Sequence, residues 1–125
     1  MVIGVGIDII EIERIKKSVD KLGSKFLDKI YTELEKQYSL SKANKYQHLA
    51  ARFAAKEAII KALSSIYNEG FRWKDIEIFN ESGGMPKVKL SGKLESLINS
   101  EMDLKISMSH SENYVTCFAI LYSVK

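Results

Sequence analysis

Leu49-Ala-Ala-Arg-Phe-Ala-Ala-Lys-Glu-Ala-Ile-Ile-Lys-Ala-Leu63 runs without glycine or proline and is dominated by strong helix formers. It predicts the centre of a long helix reaching from Asn44 to about Ile66, ended by Asn68-Glu69-Gly70. Leu49, Phe53, Ile59, Ile60 and Leu63 mark an apolar arc, bordered by a flank of small side chains at Ala50, Ala54 and Ala58. That flank would let another segment or a ligand approach closely. Arg52 and Lys56 intrude on the apolar arc, which a helix serving only the core would more often leave clean.

Upstream of this helix, Val2 to Ile10 reads as a buried strand rich in β-branched residues. Alternation puts Ile3, Val5, Ile7 and Ile9 on one face and Gly4, Gly6 and Asp8 on the other. The two glycines leave room for something large beside the carboxylate. From Glu11 to about Leu22 the pattern turns helical, with Ile12, Ile15, Val19 and Leu22 as its stripe and Gly23 as its stop. Phe26 to Tyr31 and Thr32 to Leu40 read as short helices, the second opened by Thr32 as N-cap with Glu35 three residues on. Downstream, Trp73 to Phe79 and Pro86 to Leu90 form a hairpin around Asn80 to Met85, and Ser91 caps a short helix through Ser100. Leu104 to Met108 and Tyr114 to Val124 are apolar strands joined through Ser109-His110-Ser111-Glu112-Asn113. This order predicts one α+β domain over residues 1–125, with helices packed on a mainly antiparallel sheet.

Composition narrows the function classes. With 46% hydrophobic and 28% charged residues in 125, the chain has the balance of a globular protein and not of a disordered one. A net charge of +3 is too small to argue for nucleic acid. Its distribution is more informative: Arg14, Lys16, Lys17, Lys21, Lys25, Lys29, Lys36, Lys42 and Lys45 crowd the first third, which suits an acidic partner surface. Most of these lysines read as solvated helix faces. The N-terminus has no basic region before an apolar run, and no apolar run is long enough for a bilayer, so neither a signal peptide nor a membrane partner is expected. The single cysteine, Cys117, has no internal partner and lies in an apolar strand, so it reads as core in a cytoplasmic protein.

Three groups of residues could carry chemistry. Asp8 is a carboxylate inside an apolar strand, costly to bury unless paired or bound to a metal, although it could also mark the strand end or cap the following helix. Glu57 and Lys61, four apart, share one helix face beside the alanine flank; such a pair is ordinarily a surface ion pair. Ser107-Met-Ser109-His110-Ser111 leaves a buried strand and could supply donors to phosphate, or form an ordinary turn. Gly83-Gly84-Met85-Pro86 could bring backbone amides to a ligand, though a hairpin turn also explains it. One cysteine and two separated histidines, His48 and His110, do not make a zinc site. An oxygen-only site from Asp8 and Glu57, completed by water and phosphate, would suit Mg²⁺.

Gly4-Val-Gly-Ile-Asp8-Ile-Ile-Glu11-Ile-Glu-Arg14, then Arg52-Phe-Ala-Ala-Lys56-Glu57-Ala-Ile-Ile-Lys61-Ala62, then Ile106-Ser-Met-Ser-His110, closely resemble the holo-acyl-carrier-protein synthase family. These are the short, single-domain 4′-phosphopantetheinyl transferases, and the resemblance spans nearly the whole chain. It implies transfer of the phosphopantetheine arm of coenzyme A to a serine of apo acyl carrier protein, in homotrimers with active sites at subunit interfaces. It implies that Asp8 and Glu57 bind Mg²⁺, that Lys61 contacts phosphate, and that Arg52, Ser109 and His110 surround the nucleotide and its 3′-phosphate. The hairpin turn with Gly84 and Pro86 would adjoin the same ligand. Arg14 and the basic helix after it would face the acidic helix of the carrier protein. One departure stands out, since many relatives place a basic residue between glycine and proline where this chain has Met85.

Two other classes compete. A metal-dependent nuclease or phosphatase would use the same carboxylates but usually clusters more acidic ligands. An RNA-binding module would interleave aromatic with basic residues on a sheet face. Tyr114, Phe118 and Tyr122 do alternate on the last strand but lack basic neighbours in sequence, so they read as core or subunit contact.

Overall fold

The computed structural model describes residues 1–125, and its longest helix sits where the alanine-rich stretch predicts. The chain runs β1 (Val2–Glu11), α1 (Ile12–Leu22), α2 (Ser24–Ile30), α3 (Glu33–Leu40), α4 (Lys45–Leu63), β2 (Ile76–Asn80), β3 (Pro86–Leu90), β4 (Met102–His110) and β5 (Tyr114–Ser123). All strand pairs are antiparallel, in two sheets: β1-β5-β4 with β5 central, and the β2-β3 hairpin. Helix α4 packs on β1 and β5. Its Leu49, Ala50, Ala54, Ala58, Ile59, Ala62 and Leu63 are buried against Val115, Cys117, Ala119 and Leu121 of β5.

The glycines of β1 make this packing possible. A Cβ on Gly6 would overlap the Ala58 carbonyl oxygen, and one on Gly4 the Ala62 carbonyl oxygen. The large object expected against that face is therefore α4 itself. On the opposite face, Val5, Ile7 and Ile9 are 54, 62 and 65% exposed. Register pairs Ile7 with Phe118 and Val5 with Ile120, so the exposed apolar surface continues onto β5.

Several boundaries differ from expectation for local reasons. Trp73–Asp75 is a 3₁₀ turn, closed when Asp75 accepts the Arg72 N–H, so the strand begins only at Ile76. Gly92–Leu97 is also 3₁₀; the Ser91 side chain does not cap it, and its backbone N–H donates to Asp75 O at 2.8 Å. Strand β4 extends through His110, so Ser109 and His110 end a strand paired with Thr116 and Val115 and do not belong to the loop. The Thr32 capping box forms as expected, and Glu35 does more than cap. It is wholly buried, accepting Lys56 Nζ at 2.7 Å and the Ile78 N–H at 2.8 Å. Lys56 also donates to the carbonyls of Ile30 and Trp73, so the intruding lysine ties α2, α3 and the turn before β2 to α4.

Candidate active site

Asp8 lies within β1, two-thirds of the way along it and opposite Cys117 of β5, so it neither ends the strand nor caps α1. Thr116 Oγ1 donates to the Asp8 carbonyl at 2.8 Å, fixing the backbone there. Because Gly6 allows α4 to sit close, Glu57 and Lys61 of that helix come over the same part of β1. Lys61 Nζ donates to Ile7 O at 2.9 Å and lies 3.5 Å from Asp8 Oδ1. Burial and the neighbouring Asp8 charge push the Glu57 carboxyl above its ordinary value, and Lys61 and Arg14 partly oppose this. The two carboxylates thus share one electrostatic environment, with the basic start of α1 beside them.

A second cluster lies on another flank of α4. Arg52 and Glu57 are five positions apart, roughly 140° around the helix. A groove of about 920 Å³ is bounded by α4, the β2-β3 hairpin and the edge strand β4, and is lined by Arg52, Gly84, Pro86, Ser109 and His110. Arg52 is 3% exposed; its guanidinium stacks over Tyr38 at 4.3 Å and donates to Asn80 Oδ1 at 2.8 Å. Its Nε is buried without a partner. Lys87 and Lys105 line the same groove, so positive charge persists although Met85 at the turn supplies none. Such a groove, cationic with an unused buried donor, suits a phosphorylated ligand.

The model of the 4′-phosphopantetheinyl transferase superfamily matches residues 4–124. The chain belongs to the holo-[acyl-carrier-protein] synthase family of these transferases. It is 45% identical over 120 residues to the holo-[acyl-carrier-protein] synthase of Protochlamydia amoebophila, covering 96% of this chain and 98% of that one. The synthase of Thermodesulfovibrio yellowstonii is 47% identical over 121 residues, covering 97% and 99%. Among solved structures, a holo-(acyl-carrier-protein) synthase of Bacillus anthracis in complex with CoA (3′,5′-ADP) superposes with a TM-score of 0.80, at 34% identity and 98% coverage of both chains. Fold and enzyme class therefore agree with the reading of the three motifs.

Within this synthase fold, the residues singled out from sequence fall into two sets. Asp8, Glu57 and Lys61 converge; Arg52, Gly84, Pro86, Ser109 and His110 share the groove, and none of the first set lines it. His48, Tyr38 and Asn80 also line the groove and were not anticipated. His48 is four residues before Arg52, so helical spacing alone could have placed them together. Its imidazole meets the Tyr38 ring edge-on at 5.4 Å. No cluster of three or more His, Cys, Asp or Glu side chains could hold a metal ion. The Asp8 and Glu57 carboxylates, which repel each other, are oxygen donors of the type that would suit Mg²⁺ with water and phosphate completing its shell.

Proposed function

We propose that this chain transfers the 4′-phosphopantetheine arm of coenzyme A to a serine of apo acyl carrier protein, with Mg²⁺ held by Asp8 and Glu57 and release of adenosine 3′,5′-bisphosphate. The convergence of Asp8 on β1 with Glu57 and Lys61 on α4 carries this reading. The bound cation would supply charge neutralisation across the pyrophosphate. Glu57, its carboxyl raised by burial and by Asp8, accepts the proton of the carrier serine. The serine oxygen then attacks the phosphorus bearing the pantetheine arm, and the bond to the departing nucleotide phosphate breaks. Lys61, exposed and anchored only to Ile7 and Asp8, offers a point charge to the pyrophosphate. Arg52, Ser109 and His110 hold the nucleotide end in the groove, beside the turn of Gly84 and Pro86.

The carrier protein docks on α1 in this reading. Arg14, Lys17 and Lys21 line a shallow groove on that helix. Arg14 is also felt by Glu57, so an acidic helix bound there would deliver its serine beside the carboxylates. A homotrimer is supported by the exposed apolar face of β1 and β5, and by the separation of the two site clusters within one chain, which a neighbouring copy would bridge. A cytoplasmic location fits the free, buried Cys117.

The test is incubation with coenzyme A, Mg²⁺ and an apo carrier protein, followed by mass spectrometry of the carrier. A phosphopantetheine mass gain on its serine is expected, and none would overturn the reading. Arg14→Ala should raise the KM for carrier about tenfold while kcat stays within about twofold.

A further inference from the structure

Resting on the transferase reading, we propose that Asn80 is a positioning residue whose side-chain amide joins Arg52 to the tip of the β2-β3 hairpin, making guanidinium and turn one recognition element for a phosphate of coenzyme A. Asn80 is the last residue of β2. Its Oδ1 accepts from Arg52 Nη2 at 2.8 Å, and its Nδ2 donates to Gly84 O at 3.0 Å. Both ends of the amide are thus committed, one to α4 and one to the turn.

Besides this bridge, the turn is held by its own backbone and by an exposed ion pair between Lys87 and Glu81 at 3.6 Å. Its exposed residues close on themselves through Glu81 N–H to Met85 O at 3.0 Å and Gly84 N–H to Glu81 O at 2.7 Å. Gly84, with φ +87, gives the turn its shape. Asn80 makes the only side-chain hydrogen bond that reaches it. On the other side of the bridge, Arg52 is stacked on Tyr38 with its Nε buried and unpaired. An unused buried donor is unfavourable until a ligand satisfies it. A neutral amide orients this guanidinium without neutralising it. A carboxylate at the same place would hold Arg52 as an ion pair, compete with the ligand phosphate for its charge, and repel the Gly84 carbonyl oxygen.

The experiment compares wild type, Asn80→Ala and the isosteric Asn80→Asp. Steady-state transfer is measured with coenzyme A varied at saturating carrier, together with calorimetric binding of adenosine 3′,5′-bisphosphate and the thermal midpoint. Both variants should raise the KM for coenzyme A about tenfold and weaken nucleotide binding in parallel, with kcat within about twofold. Their thermal midpoints should stay within about 4 °C of wild type. If Asn80→Ala does not fold, Asn80→Asp, which preserves shape, decides alone. Unchanged KM and nucleotide affinity in Asn80→Asp overturns the proposal, as does a fall in kcat and midpoint without a change in KM. An inactive wild type, by contrast, overturns the transferase reading and this inference with it.

Discussion

Lys61 Nζ stands 3.5 Å from Asp8 Oδ1, bridging helix and strand over the place where Glu57 also converges. Both partners keep solvent contact, so the pair contributes at most about 1 kcal/mol to stability. On the proposed reading it holds a cation where a pyrophosphate would arrive. Lys61→Met should therefore lower kcat/KM for coenzyme A about a hundredfold with little change in thermal midpoint. Asp8→Ala or Glu57→Ala should abolish turnover. Transfer above about a tenth of the wild-type rate in any of the three would remove that residue from the chemistry.

The two carboxylates disfavour each other, and Lys61 offsets this only in part. Burial and the Asp8 charge hold the Glu57 carboxyl above its ordinary value of 4.5, so the ionised form is under strain near neutral pH. Glu57→Gln should relieve that repulsion and raise the metal-free midpoint by about 2–4 °C while transfer is lost. Added Mg²⁺ should stabilise wild type and leave the variant unmoved. A midpoint that falls in Glu57→Gln would contradict the repulsion.

Gly6 is where the site meets the fold. A side chain there would strike the Ala58 backbone and the Lys61 Cβ, and a helix backbone cannot yield as a flexible side chain can. Gly6→Ala should cost about 3 kcal/mol or more in urea unfolding and should displace Glu57 and Lys61 from Asp8. The same change at exposed Gly83, where a Cβ would meet nothing, should cost under about 1 kcal/mol.

Much of this arrangement was legible because it depends on local pattern. Alanine spacing marked the flank of α4, and Gly4 and Gly6 marked a close approach on β1, although only the structure showed that each flank is the other's partner. Asp8 and Glu57 could be paired from sequence as oxygen donors and through the family resemblance, but nothing in spacing joins residues on different elements. Glu35 read as a capping residue because its helix-end role is local. Its burial against Lys56 depends on α2, β2 and the Trp73 carbonyl meeting at one point. Asn80 gave no signal beyond its place at a turn. Ser109 and His110 were read as loop because their strand outlasts its apolar run.

His48 is expected to give the folding stability a pH dependence. Burial, then the charges of Arg52, Lys42 and His110, push its imidazole below the ordinary 6.5. The neutral form is the one the fold accommodates. The corresponding stability is full above the ordinary histidine value and is lost as pH falls below it toward the depressed folded value. Between about pH 7.5 and about pH 5.5, wild type should therefore lose more of its thermal midpoint than His48→Gln does. Equal losses in the two proteins would show that His48 is not the titrating group.

Ile7 and Phe118 are register partners on the outer face of the sheet, 62 and 40% exposed, with Val5 and Ile9 extending the same surface. An apolar strip of this kind is unfavourable in water and is expected to be covered by further copies of the chain. Ile7→Glu would place an unpaired charge in each such apolar contact, at a cost of about 2 kcal/mol or more. Light scattering should then report one chain where three are expected for wild type. On the proposed reading, transfer should collapse as well, even though Asp8, Glu57 and Lys61 are untouched, because the groove and the carboxylates lie on different flanks of α4 and a neighbouring copy would bring them together across one substrate. A wild type that sediments as a single chain under assay conditions, yet transfers at full rate, would show that one chain suffices and that the two clusters act within it.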